Sequence, residues 1–256
     1  MQKKLPGFAK NYTTCFFSKK MNVVAAYDLW ANTYDSEQEK GNLVITYNTF
    51  LVEQIFTKLS LKNKIICDIG SGTGHFHDNV LKFQPEKHIA CDTSEGMLHM
   101  FTKKFPEVET HVLTDNILHF AQDNSIDIIF SSLVIGYIKN LSNVLNEWKR
   151  ALKANGFMII TLLHPELNVK NSRNFKDTQN TVHIIKSCQL NLKQLNQLFA
   201  NKSLEVISFS EKTIDNRGKS MFLQMHKGDL YKTMKDKKIV CGFLLKKSSS
   251  RKKLYL

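Results

Sequence analysis

Three glycines alternate in the stretch IICDIGSGTGHF, residues 65–76: Gly70, Gly72 and Gly74. A strand that ends in a tight glycine turn and runs on into a helix lets backbone approach a ligand closely, and the helix start offers free amide donors. The spacing GxGxG departs from the GxGxxG of a dinucleotide loop, whose third glycine falls here on His75. The lysine of a phosphate-binding P-loop is also absent. The nearby acids say more about the ligand. Asp68, two residues before the first glycine, suits an ammonium group. Asp92 ends a second apolar run, in CDTSEGML, where a carboxylate can accept both hydroxyls of a ribose. Asp115 and Asn116 follow a third run, within reach of an adenine edge. An amino acid joined to an adenosine satisfies all three acids at once.

The elements that must position these residues follow from the spacing of apolar side chains. From Ile65 onward, short apolar runs alternate with amphipathic stretches, the pattern of a parallel sheet wrapped by helices. Strands are predicted at 64–69, 87–92, 108–114, 125–131 and 157–163, and helices at 75–83, 94–105 and 141–153. Leu141, Val144, Leu145, Trp148 and Leu152 recur at helical spacing, and Asn155-Gly156 is the expected stop. FMIITLL, residues 157–163, is nearly all apolar and therefore expected to be buried on both faces. Residues 164–181 are polar and irregular and read as a surface loop or lid. A helix at 191–200 and strands at 204–212 and 237–247 follow, while helical stretches at 21–35 and 43–60 precede the glycine loop.

The ligand that joins an amino acid to adenosine in this way is S-adenosylmethionine. From about Ala25 to Leu163, with a weaker continuation to Lys247, the chain resembles the class I S-adenosylmethionine-dependent methyltransferases. Besides the glycine loop, the resemblance rests on DTSEGML (92–98), TDN (114–116), SIDIIFSSLVIGYIKNL (125–141) and WKRALKANGFMIIT (148–161), in the family's order and spacing. AAYDLWANTYD (25–35) is similar to the YDxxAxxYD opening segment of its small-molecule branch, which includes ubiquinone/menaquinone C-methyltransferases and malonyl-carrier O-methyltransferases; HP at 164–165 also recurs there.

The resemblance implies an α/β, Rossmann-like, doubly wound sheet of seven mostly parallel strands with N-terminal lid helices. It divides the chain into an extension and lid helix (1–42), a methyltransferase domain (43–247, with a loop or lid at 164–186) and a basic tail (248–256). It places Gly70, Gly72 and Gly74 against the methionine portion, Asp68 at its amine, and Asp92 with Thr93 at the ribose. Met97 would pack near the adenine or ribose, Asp115 would accept from the adenine amino group, and Asn116 would offer its backbone amide. Ser131 would line the methionine side, and Tyr34 would close over the carboxylate. Met97 and Ser131 equally suit ordinary core and strand-end packing. For an acceptor whose proton must leave, His164, Tyr27, Tyr34 and Tyr137 are the candidate bases, with His164 and Tyr27 the expected catalytic residues; His164 also suits a loop residue lining the pocket.

The acceptor is read as a small molecule, free or carrier-bound, with nucleic acid as the alternative and a cofactor-binding, non-catalytic homologue as a third reading. The formal charge of +13 keeps nucleic acid open, yet only Arg150, Arg173, Arg217 and Arg251 among the 36 basic residues carry the guanidinium fork favoured by base and phosphate readers. SSLV follows the fourth strand where exocyclic-amine methylases of nucleic acids resemble [DNS]PP[YF], and no Pro-Cys nucleophile occurs. Cys15, Cys67, Cys91, Cys188 and Cys241 show no CxxC pair, and the HFH at 75–77 lacks a third ligand at metal spacing, so no disulfide framework or metal site is expected. No apolar run reaches a membrane span and the N-terminus has no continuous apolar signal segment, so a cytoplasmic protein is expected.

Overall fold

A computed structural model of the chain describes residues 18–39, 41–167, 172–188, 190–224 and 228–248; Cys15, Arg251 and most of the expected extension and tail lie outside these. β1 (Ser18–Met21) leads into α1 (Val23–Glu39) and α2 (Leu43–Phe56). Strand and helix then alternate through β2 (Ile65–Ile69), α3 (His77–Leu81), β3 (Lys87–Asp92), α4 (Glu95–Lys104), β4 (Glu109–Val112), β5 (Ile126–Ser132), α5 (Leu141–Ala151) and β6 (Leu152–Leu163). β7 (Ser172–Lys176), β8 (Val182–Lys186), α6 (Leu192–Asn201), β9 (Leu204–Thr213), α7 (Asn216–Gln224), α8 (Gly228–Met234) and β10 (Lys238–Lys247) complete the order.

The main sheet has seven strands in the order β4-β3-β2-β5-β6-β10-β9. β2 to β6 pair in parallel, and β10 runs antiparallel to both β6 and β9. The chain winds outward from β2 to β4 and then returns to β5 on the other side of β2. Such a reversal leaves a crevice at the carboxyl ends of the two strands that flank it.

Period two divides the strand side chains between two cores. On β2, Ile66 joins α2, α7 and α8 through Leu51, Ile55, Phe222 and Met234, whereas Cys67 and Ile69 join α5 and α6 through Trp148, Leu145 and Phe199. Each such side chain, fully buried, contributes roughly 1.5–3 kcal/mol from its removal from water. Asn42, Ser94, Asn140 and Asn191 accept backbone N–H bonds at the starts of α2, α4, α5 and α6.

The structure departs from the sequence reading in three places. The helix α5 ends at Ala151, because Leu152 turns extended (φ −72°, ψ 132°) and is buried at the start of β6. Gly156, the expected stop, instead lets β6 lie against β5, since a Cβ there would come within 2.8 Å of the Asp127 carbonyl oxygen. The polar stretch 164–181 holds strand β7, which with β8 and β1 makes a separate three-stranded sheet, order β1-β8-β7. Its few apolar residues, Phe175 and Ile185, are buried against Trp30 and Ala26 of α1, a partner too distant in sequence to show in local periodicity. The helices α7 and α8 between β9 and β10 were likewise not foreseen.

Candidate functional site: a crevice over the carboxyl ends of the parallel strands

A cavity of about 850 Å³ opens over β2, β3, β4 and β5. Ten of the predicted residues line it: Tyr27, Tyr34, Asp68, Gly70, Gly72, Asp92, Thr93, Met97, Asp115 and Asn116. Backbone forces the glycines. Gly72 has φ +57°, and a Cβ there would meet no protein atom within 4 Å, so the space beside it is open to a ligand. Gly70 has no such room, because a Cβ would lie 2.1 Å from Val134 Cγ2. Leu133, on the cavity wall just past β5, holds the left-handed φ of +61°, an uncommon conformation for a branched side chain and one that clusters at functional sites.

The acids are held by their neighbours. Asp92 accepts from the Gly72 amide at 2.9 Å and the Ser94 amide at 3.0 Å. Burial lifts its carboxyl to about 6 against the pull of these amides. Asp68 is 2% exposed at the root of the glycine turn. Behind it, His88 Nε2 stands 3.8 Å from the carboxylate, and His88 and His77 share a 2.8 Å bond between their Nδ1 atoms. Asp115 and Asn116 occupy successive left-handed positions, φ +52° and +61°, and the Asn116 carbonyl accepts from Trp148 Nε1 at 3.0 Å, which pins the loop to the core.

Helix α1 covers the crevice, and the two YD pairs in YDLWANTYD explain how. Tyr27 and Tyr34, and Asp28 and Asp35, are seven residues apart, two helical turns, so each pair shares a face. Both tyrosines line the cavity. Asp28 accepts from Ser94 Oγ at 2.5 Å and the Gly96 amide at 2.9 Å, at the first turn of α4. Asp35 accepts from Thr73 Oγ1 of the glycine turn and from Lys104 Nζ at 2.9 Å. The lid is therefore latched to the two loops that carry the cradle.

Three predicted residues do not face the cavity. His164 is buried beneath β9; its Nε2 shares a 2.6 Å bond with Glu211 Oε1, and its Nδ1 accepts from the Glu166 amide at 3.2 Å. Both its ring nitrogens are engaged away from the crevice, and it does not line the cavity. Ser131 is fully buried with its Oγ unpartnered, and its neighbour Ser132 lines the wall in its place. Gly74 is packed under the aromatic rings of α4, where a Cβ would stand 2.7 Å from Phe105 and 2.9 Å from Phe101. Tyr27 is on the wall, where burial first and Tyr137 second push its phenol well above its ordinary value. Asp28, Asp35, Val134 and Arg173 belong to the site and went unassigned; only the YD repeat carried a signal for the two acids. Among the described residues no His, Cys, Asp and Glu cluster could hold a metal ion, and no helix is long and apolar enough to cross a membrane.

Residues 67–160 match the profile of a methyltransferase domain family. A biotin biosynthesis bifunctional protein from Cellvibrio japonicus is 30% identical over 195 residues, 76% of this chain and 37% of that protein. A malonyl-acyl-carrier-protein O-methyltransferase from a Marinomonas species is 27% identical over 150 residues, 57% of this chain and 53% of its own. The chain thus spans about a third to a half of the length of these curated relatives. An S-adenosylmethionine-dependent methyltransferase of known structure from Mesorhizobium loti superposes with a TM-score of 0.59 at 14% identity, over 75% of this chain and 95% of that one. With the strand order and the acid-lined crevice, these matches make residues 67–160 similar to a methyltransferase domain and give the chain the fold of class I S-adenosylmethionine-dependent methyltransferases.

Proposed function

We propose that the chain transfers a methyl group from S-adenosylmethionine to a small acceptor, free or attached to a carrier, in the cytoplasm. The observation that supports this most directly is the distribution of acids around the crevice: Asp68 at the glycine turn, Asp92 at the end of β3 and Asp115 past β4. The donor set fits the cofactor. Asp68 answers its ammonium group, Asp92 its ribose hydroxyls and Asp115 with the Asn116 loop its adenine, and the open space at Gly72 admits its close approach. When bound, the cofactor supplies an activated methyl group on a sulfonium, displaced in line by the acceptor.

The remaining work of the protein is to align and to exclude water, and alignment alone can supply several of the roughly 7–11 kcal/mol available from proximity. Residues 21–42 and 164–186 form the proposed lid: α1 carries Tyr27 and Tyr34, and β7 and β8 brace α1 through Trp30, Phe175 and Ile185. His164 is turned away from the crevice, whereas Tyr27 lies on its wall. Calorimetry with S-adenosylhomocysteine tests the reading. Saturable binding is expected, and its absence from well-folded protein would overturn it.

A further inference from the structure

Arg173 stands on β7, on the cavity wall, apart from the sheet that carries the cofactor cradle. Its guanidinium carbon lies 4.6 Å from the centre of the Trp30 ring and 5.6 Å from that of Tyr34. Trp30 also stacks on Phe175, two residues along the same strand, at 4.7 Å and 12°. The guanidinium is thus gripped on an aromatic face and carried by a paired strand, which preorganises its donors. The phenols of Tyr27, Tyr34 and Tyr137 surround it, and all three line the cavity.

What the arginine lacks is an anion. Arg150 is paired with Glu147 and Asp123, and Arg217 with Asp215. Arg173 hydrogen-bonds the Tyr34 side chain and makes a long bond, 3.4 Å, from Nη2 to the neutral Gln38 side chain, and among the described residues no carboxylate pairs with it. The stretches outside the described residues contain no Asp or Glu in their sequence. A part-buried cation without a counter-ion is costly, and this one lines the cavity.

We propose that Arg173, with the Tyr27 and Tyr137 hydroxyls, is the subsite for a carboxylate group on the methyl acceptor; this rests on the methyltransferase reading. The planar fork of a guanidinium matches a carboxylate through two parallel N–H bonds, and one fixed positive charge balances a monoanion where a phosphate dianion would call for more. A phenol hydroxyl beside the guanidinium can donate a further hydrogen bond to such a group. A carboxylate is also ionised at neutral pH and has no proton to surrender. The cofactor's own carboxylate is the rival occupant.

The test loads the full chain with S-adenosylhomocysteine and titrates it with malonate, succinate, glutarate, hexanoate and the N-acetylcysteamine thioester of malonate, with the matching amides as controls. Saturable binding of at least one acid, no binding of its amide, and a loss of more than about tenfold in Arg173→Gln and of similar size in Arg173→Lys are expected. The affinity for S-adenosylhomocysteine should stay within about twofold in both variants. Equal binding of acid by wild type and variants, or none by either, overturns the subsite. Loss of S-adenosylhomocysteine affinity in the variants assigns the arginine to the cofactor and overturns it as well. Failure of the wild type to bind S-adenosylhomocysteine is a different result, which strikes the cofactor reading itself. Arg173→Lys keeps the charge and the packing stem, so its melting temperature shows whether the fold survives.

Discussion

Asp92 holds its charge against its surroundings. Burial raises its carboxyl from an ordinary 3.8 to about 6, so the ligand-free folded protein retains a proton there that the unfolded chain has released. The sign follows: the contribution of this group to stability is present in full below about pH 4 and is lost as pH rises through about 6. Ribose hydroxyls need the ionised form as acceptor, so binding works in the opposite direction. Affinity for S-adenosylhomocysteine should climb by up to about tenfold per pH unit as pH approaches 6 from below, then level off. Asp92→Asn should flatten that profile and weaken binding by roughly 1.5–3 kcal/mol, the range for hydrogen bonds to a charged group. Calorimetry across the acid range measures both effects, and an unchanged profile in the variant would exclude the ribose role.

The acids of the cradle were legible because each sits at the end of a strand that announces itself by composition, and a strand end fixes where a side chain begins. Where it points is another matter. Ser131 and Ser132 are adjacent on β5, and the pleat sends them to opposite sides, so a shift of one residue separates wall from core. His164 leaves β6 as foreseen, but Glu211, 47 residues later on β9, turns the ring away. That partner is set by the antiparallel placement of β10 and β9, which nothing near His164 encodes.

At the scale of elements, α1 depends on the body it covers. Asp28 caps the start of α4 from outside, and removing it leaves Ser94 Oγ and the Gly96 amide without their acceptor. Asp28→Ala should cost on the order of 1 kcal/mol, as losses of helix caps do, and should raise amide exchange in α1 and the first turn of α4 while the seven-stranded sheet keeps its protection. S-adenosylhomocysteine should restore part of that protection in the wild type and less in the variant. Hydrogen exchange with mass detection reads all of this, and uniform loss of protection would show that Asp28 serves the whole fold instead of the latch. The stretch 21–35 was readable as helical, and the face that its YD repeat forms shows only in the structure. The β7–β8 hairpin was not readable, because its sequence is polar and the apolar surface it needs lies on α1, and Arg173 was lost with it.

For the whole molecule, the question is what a charge of +13 does. It is carried mostly by lysine, and the described arginines are occupied: Arg150 closes the loop before β5 through the Leu118 and Ala121 carbonyls, Arg217 pairs with Asp215, and Arg173 belongs to the cavity. Point charges on flexible stems attract a polyanion without reading it. Any RNA held at about 50 mM salt should therefore be released by about 200 mM, and S-adenosylhomocysteine should not alter its retention. Filter binding at the two salt concentrations checks this; RNA retention that survives the higher salt and tightens with S-adenosylhomocysteine would favour a nucleic-acid acceptor.

The two sheets share no strand. The cavity wall given by the main sheet comes from β2 to β5 and the loops after them, while Arg173 and the residues that brace α1 come from the small sheet outside it. With Arg173 as the proposed acceptor subsite, exchanging the hairpin should change what is methylated and leave the proposed cofactor site alone. A chimaera that receives another hairpin in place of residues 172–186, with α1 and its latches retained, is a transplant of taste onto an unaltered engine.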